Sequence, residues 1–226
     1  SFGVGLAFGI GFPLTALTLE SWGEPKWVIG LAGAVPAIAV LVMLPFLPAV
    51  VGRVGAVPAI AWGCLIAGVC FLALTFVPSA PTWIAIRFAM SAGMALPWLV
   101  GETWINLVAR EETRGRVIAL YAMAFFLGFA LGPMVLGWLG TTGPAPFIAG
   151  AIGAALAGVP ILLARNLAPD VDTRQSLTAL AAMRFAPVAM IGAFIGGFAE
   201  ITYLSLIPNV ALAAGIEPVA ALGLMT

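Results

Sequence analysis

Three ionisable residues interrupt apolar runs long enough to cross a bilayer, and chemistry would sit with them: Arg87, Glu102 and Glu200. A charge at the centre of a membrane helix costs about 2.5–3.5 kcal/mol on insertion scales, so such groups face a partner or a wet cavity. The chemistry open to them is ion pairing and proton exchange, because a carboxylate that alternates between a desolvated cavity and an arginine takes up and releases a proton. Glu20, at the end of the first apolar run, competes with Glu200 for Arg87. Glu102 lies fifteen residues beyond Arg87, roughly 22 Å along a helix, and needs other partners: Arg53, Arg110 or Arg114. That pairing would close the inner ends of the helices as a gate. Hydroxyls and amphipathic residues in otherwise apolar runs, Thr15, Thr18, Pro97, Trp98, Tyr121 and Tyr203, are candidates to line a cavity for a small ligand. Other chemistries lack their residues: the chain has no histidine, no Gly-x-Ser-x-Gly, no His-Glu-x-x-His and no phosphate-cradling loop. An enzyme, a metal site and a resident cofactor are not expected.

The elements that position these residues follow from composition. The 226-residue sequence is 63% hydrophobic and 8% charged, with nine basic and nine acidic residues. A soluble domain carries roughly 25% charged residues, so this chain cannot cover its surface in water and must use lipid instead. Zero net charge argues against nucleic acid as a partner. Apolar runs predict membrane helices near 2–19, 27–50, 57–77, 82–107, 117–139, 145–164 and 186–208, with an eighth starting near 218. Cys64 and Cys70 lie six apart in one run, without metal-ligand spacing, and read as packing residues.

Orientation follows from the basic residues, which stay on the cytoplasmic side. Alternate loops collect Arg53, Arg110, Arg114, Arg116, Arg165, Arg174 and Arg184 on one side and Lys26 alone on the other. The stretch "VAREETRGR" from Val108 is therefore cytoplasmic. Arg87 then sits roughly 8 Å below the outer end of the fourth span, and Glu200 roughly 12 Å below the outer end of the seventh. Gly5-x-x-x-Gly9, Gly128-x-x-x-Gly132 and Gly192-x-x-x-Gly196 let helix backbones approach closely, while Pro13, Pro36, Pro45, Pro97, Pro133, Pro160 and Pro208 interrupt helical bonding at set depths. Trp22, Trp27, Trp83 and Trp138, near span ends, are placed in the interfacial aromatic belt.

Several local patterns resemble the major facilitator superfamily of secondary transporters. "RFAMSAG" (Arg87 to Gly93) is similar to the family's Arg-x-x-x-small-x-Gly motif, with Ser91 where glycine is usual. "GFALGPMVLG" (Gly128 to Gly137) is similar to its Gly-x-x-x-Gly-Pro motif, and "GRVGA" keeps Arg53 and Gly55 of the Asp-Arg-x-Gly loop but has Gly52 in the aspartate's place. The stretches from Phe12 and from Leu206 echo one another, each with a proline about ten residues before a Gly-Glu-Pro or Gly-Ile-Glu-Pro turn, as parallel repeats would.

The resemblance implies an all-α integral membrane protein with a six-helix bundle over 1–164, a cytoplasmic connection over 165–185 and the start of a second bundle over 186–226, in which the eighth helix is partial. The chain is then expected to be a fragment, clipped at its N-terminus and entering its second half when it stops. The implied function is a secondary active transporter working by alternating access, as a proton-coupled exporter of a small, partly apolar compound. Export rests on the family association of Gly128, Gly132 and Pro133 with antiporters. The alternatives are a sugar or metabolite permease of the same superfamily and a non-transporting membrane scaffold or sensor. The expected partners are the lipid bilayer, a small-molecule substrate and H+. A monomer in a bacterial inner membrane is expected.

Overall fold

Backbone N–H and C=O groups inside a bilayer have no water to bond, so each apolar run must satisfy its own backbone by coiling. The computed structural model describes residues 1–167 continuously, and scattered positions between 187 and 215. Among the described residues the chain is helical and contains no strand. The elements are α1 (Phe2–Ser21), α2 (Lys26–Met43), α3 (Leu47–Val54), α4 (Ala56–Leu74), α5 (Ala80–Ala95), a π-helical segment (Leu96–Val100), α6 (Gly101–Val108), α7 (Arg114–Leu139) and α8 (Ala145–Leu163). α5, the π segment and α6 run as one 29-residue span, and six spans in all are long and apolar enough to cross a membrane. The protein is an all-α, multi-pass integral membrane protein.

Two differences from the expected spans have local causes. The second run does not continue to residue 50. α2 ends at Met43, a turn takes Leu44 to Phe46, and α3 begins at Leu47. Pro45 and Pro48 lack N–H groups, so the helical bonds to Leu41 and Leu44 carbonyls cannot form, and Phe46 N–H bonds Met43 O at 3.0 Å instead. In the fourth span the helical register widens over Leu96–Val100, where Pro97 removes the donor that Gly93 O would receive. Leu96 N–H bonds that oxygen instead. The expected seventh span, the start of the eighth and the 165–185 connection fall largely outside the described residues.

α1 is the central element, packing most extensively on α7 and also on α8 and α2. α4 joins α8 and α5, and α2 joins α5, which closes the bundle. α1 and α7 meet backbone to backbone. A Cβ at Gly5 or Gly9 would run into the carbonyl oxygens of Phe125 or Phe129, and one at Gly128 or Gly132 would strike Phe2 O or the Gly9 backbone. The two Gly-x-x-x-Gly pairs interlock in this way, replacing a hydrophobic driving force that lipid does not provide with close van der Waals contact. Phe129 O, the carbonyl against Gly9, is also the one that Pro133 deprives of its helical donor. Gly63 of α4 and Gly93 of α5 make the same kind of approach.

Substituting leucine for Gly9 or Gly132 is therefore expected to destabilise the purified full-length protein by about 1–3 kcal/mol or more, through overpacking. Gly30→Ala, in open space on α2, should stay within about 0.5 kcal/mol. Thermal unfolding in detergent checks this, and equal midpoints for Gly132→Leu and Gly30→Ala would contradict the interlocked contact.

Candidate functional site

Arg87 lies two turns into α5 and is 1% exposed. Its neighbours at helical spacing, Trp83 and Ser91, are buried on the same face. Two neighbouring helices compensate the burial of its charge. From α1, Gly11 O accepts from Nη1 at 2.9 Å and Thr15 Oγ1 accepts from Nη1 at 2.6 Å. From α2, Ala32 O accepts from Nε at 3.4 Å. Thr15 Oγ1 in turn donates to Gly11 O at 2.7 Å, so hydroxyl and guanidinium converge on one carbonyl. The guanidinium carbon stands 5.7 Å from the centre of the Phe12 ring, within cation–π range. Gly11, Phe12 and Thr15 reach Arg87 together because positions four apart share one helix face.

Among the described residues no carboxylate lies within 4 Å of Arg87. This corrects the pairing expected with Glu20, whose carboxylate takes Lys26 Nζ at 2.5 Å across the α1–α2 turn. The reason is position: Glu20 is at the last turn of α1, and Lys26 opens α2 six residues later. Glu200 lies outside the described residues, as does Tyr203. Glu102 is exposed, and among the described residues it meets none of Arg53, Arg110 or Arg114 within 4 Å. Its backbone carbonyl accepts from Asn106 Nδ2 at 2.9 Å. The gate pairing expected inside this bundle is therefore absent among the described residues, since Glu102 projects to the bundle surface.

The cavity candidates divide. Thr15 lines a small cleft with Phe12, Ala16, Ile29 and Gly33, but its hydroxyl is engaged by Arg87. Thr18 spends its hydroxyl on Leu14 O at 2.7 Å. Pro97 is buried in the π segment. Trp98 and Tyr121 are half-buried, and Tyr121 donates its hydroxyl to Trp98 O at 3.3 Å, bracing the π segment from α7. Trp83 is not interfacial. It is 1% exposed and packs edge-on against Trp22 and Phe147 at 5.0 and 5.8 Å, because its face of α5 points into the bundle. Trp83 Nε1 and Ser91 Oγ are buried without a hydrogen-bond partner among the described residues.

Sequence reasoning did not find an aromatic ring of rings. Phe8 stacks on Phe12 at 6.0 Å and meets Trp98 edge-on at 5.9 Å. Trp98 stacks on Phe125 at 5.9 Å, Phe125 on Phe129 at 6.2 Å, and Phe129 approaches Phe12 at 6.4 Å. Phe8 and Phe12, like Phe125 and Phe129, are four apart, and that spacing was the available signal. The cluster joins α1, the π segment and α7, and Phe12 connects it to Arg87. An apolar molecule beside Trp98, Phe125 and Phe129, which are half-buried, would meet π faces, with Arg87 enclosed behind Phe12.

A family model described as Major Facilitator Superfamily matches residues 1–226. The chain is 26% identical over 219 residues to a Bacillus subtilis protein named uncharacterized MFS-type transporter YfkF, covering 94% of this chain and 56% of that one. It is 29% identical over 132 residues to the uncharacterized MFS-type transporter YcaD of Escherichia fergusonii, covering 56% of this chain and 34% of that one. The Escherichia coli protein of the same name matches to the same extent. The chain thus spans about half or less of the length of these curated relatives.

Thr15→Val keeps the shape of the side chain but removes the hydroxyl that Arg87 bonds. The expected loss is about 1.5–3 kcal/mol by the general scale for bonds to charged groups, at the lower end for membrane interiors. Thr15→Ser should recover most of it. Thermal midpoints measured side by side decide the matter, and identical midpoints for Val and Ser would remove the hydrogen bond from the account.

Proposed function

The chain belongs to the major facilitator superfamily, and on that premise we propose that the full-length protein is a secondary active transporter that moves a small molecule by alternating access. The substrate class is a partly apolar compound, and the coupling ion is H+. The direction is export, on the resemblance of Gly128, Gly132 and Pro133 to the antiporter motif. The protein works as a monomer in a bacterial inner membrane, with its arginine-rich loops in the cytoplasm.

The observation that carries this reading is the buried Arg87 charge, which α1 and α2 hold by oxygens of backbone and hydroxyl rather than by a carboxylate among the described residues. Carbonyl dipoles hold a guanidinium without neutralising it. Its charge is left for an anionic group arriving from the second bundle, and Glu200, on the seventh span at comparable depth, is the group we assign. In the closed-outside state Glu200 is deprotonated and drawn toward Arg87. When the bundles separate, Glu200 is protonated, and the proton crosses in exchange for substrate. Trp98 and Tyr121 are assigned to substrate contact beside the aromatic cluster. Glu102, Arg53, Arg110 and Arg114, all exposed, are assigned to contacts with the second bundle at the cytoplasmic face.

The test uses the full-length protein in proteoliposomes with a trapped pH dye and an imposed proton gradient. Lipophilic compounds, sugars and amino acids are added singly, with the wild type beside Glu200→Gln. Proton flux evoked by an apolar compound and lost in the variant is the expected result. Substrate movement without proton flux, unchanged by Glu200→Gln, would refute the coupling. Response to sugars alone would replace the exporter with a permease, and silence across the panel would refute transport.

A further inference from the structure

In an α-helix the carbonyl of residue i accepts from the N–H of residue i+4. α2 runs helically through Pro36, so Ala32 O loses the N–H that residue 36 would donate in a regular helix. A carbonyl left open in a membrane interior costs several kcal/mol unless another donor reaches it. That donor is Arg87 Nε, at 3.4 Å. The site is dry and close-packed: Ala32 and Ala39 are 0% exposed, Pro36 is buried, and Arg87 is 1% exposed. Ala32, Pro36 and Ala39 present a smooth face of small side chains against which α5 packs.

We propose that Pro36 is a positioning residue for Arg87. By withholding its N–H it keeps Ala32 O open, and this third anchor fixes the guanidinium plane already held by α1. Nη1 alone, bonded to Gly11 O and Thr15 Oγ1, leaves the group free to turn about that edge; Nε on Ala32 O stops the turn. Four other prolines interrupt described helices, at 13, 97, 133 and 160, and the carbonyls they release are those of Gly9, Gly93, Phe129 and Leu156. Among the described residues none of these four accepts from a side chain, whereas Ala32 O does. Pro36 is thereby set apart from prolines that merely bend or loosen a helix. The arrangement also opposes departure of Arg87, since Ala32 O would be left without a donor. Its effect on transport rests on the function proposed above; the positioning itself does not.

The deciding measurement is the Nε–H resonance of Arg87 in full-length protein labelled with 15N-arginine, identified by its disappearance in Arg87→Lys. In the wild type this proton is expected to exchange slowly with solvent. In Pro36→Ala, where the backbone N–H reclaims Ala32 O, the resonance should shift upfield and its exchange should quicken roughly threefold or more, the factor matching an average interhelical bond in membranes. Pro160→Ala should leave it unmoved. Pro36→Val restores the same N–H and covers the case in which alanine does not fold. An Nε–H signal unchanged in both Pro36 variants would overturn the proposal, as would an equal change in Pro160→Ala. A parallel thermal cycle combines Pro36→Ala with Arg87→Lys, which has no Nε; coupling should appear as a departure from additivity on the order of 2 °C. Strict additivity counts against the proposal. In proteoliposomes Pro36→Ala should lower the maximal rate and leave KM in place. A wild type that transports nothing would defeat the transport reading while the NMR comparison still decides the role of Pro36.

Discussion

A guanidinium enclosed by apolar helices is tolerable only if enough oxygen atoms turn toward it, and that requirement governs this bundle. Arg87 draws one carbonyl and one hydroxyl from α1 and one carbonyl from α2. The two helices supply these oxygens by different routes. On α2 the supply comes from Pro36, which releases Ala32 O. On α1 it comes from the second lone pair of Gly11 O and from Thr15, whose hydroxyl relays between the two groups. The junction of α1, α2 and α5 is thus fixed by polar contacts within an otherwise apolar interior.

α1 can serve Arg87 on one side because it is held by close packing on the other. Its glycines at 5 and 9 meet the α7 backbone, and those of α7 at 128 and 132 return the contact. Such contact leaves little freedom for α1 to slide, since a shift of one residue would put side chains where only hydrogen fits. The aromatic cluster fills the space beside this seam, and Phe12 belongs to both the cluster and the arginine site. Packing between α1 and α7 therefore bears on the geometry at Arg87, through the rigid body of α1 rather than through any chain of charges.

Much of this was legible in the sequence, for physical reasons that also mark its limits. The six spans announce themselves because lipid permits only long apolar runs, and the close contacts of Gly5, Gly9, Gly128 and Gly132 follow from side chains that are simply missing. The pair Glu20–Lys26 was not read, since Glu20 was matched to Arg87 by span and the six-residue turn that brings Lys26 to it was overlooked. The break after Met43 was not read, because a single proline is tolerated inside α1 and α2 alike, and only Pro45 with Pro48 removes two donors three positions apart, within one turn. The oxygens around Arg87 were not read either. Backbone carbonyls have no letter in the sequence, and the one clue, a proline four residues after Ala32, looks like any other helix proline. Trp83 was assigned to the interface by its distance from the span end; its burial depends on which way α5 faces, and that is set by α2 and α4.

The fourth span shows how these constraints divide a single helix. Its N-terminal half, α5, packs along both α2 and α4 and is tied to α1 by Arg87. Its C-terminal part, α6, touches chiefly the π segment and α7, and carries Glu102 at the surface. Between them lie five residues in which the helical hydrogen bonds are widened and a proline sits. A helix bends most readily where its own hydrogen bonds are rearranged, which here is Leu96–Val100, although that segment is packed against α4 and braced by Tyr121. Trp98 belongs to that segment, with its ring in the aromatic cluster and its carbonyl bonded by Tyr121 from α7. The anchored charge and the exposed carboxylate are thus separated by the one stretch of the span whose helical bonding is rearranged, and Trp98, in that stretch, keeps its ring half-buried in the aromatic cluster.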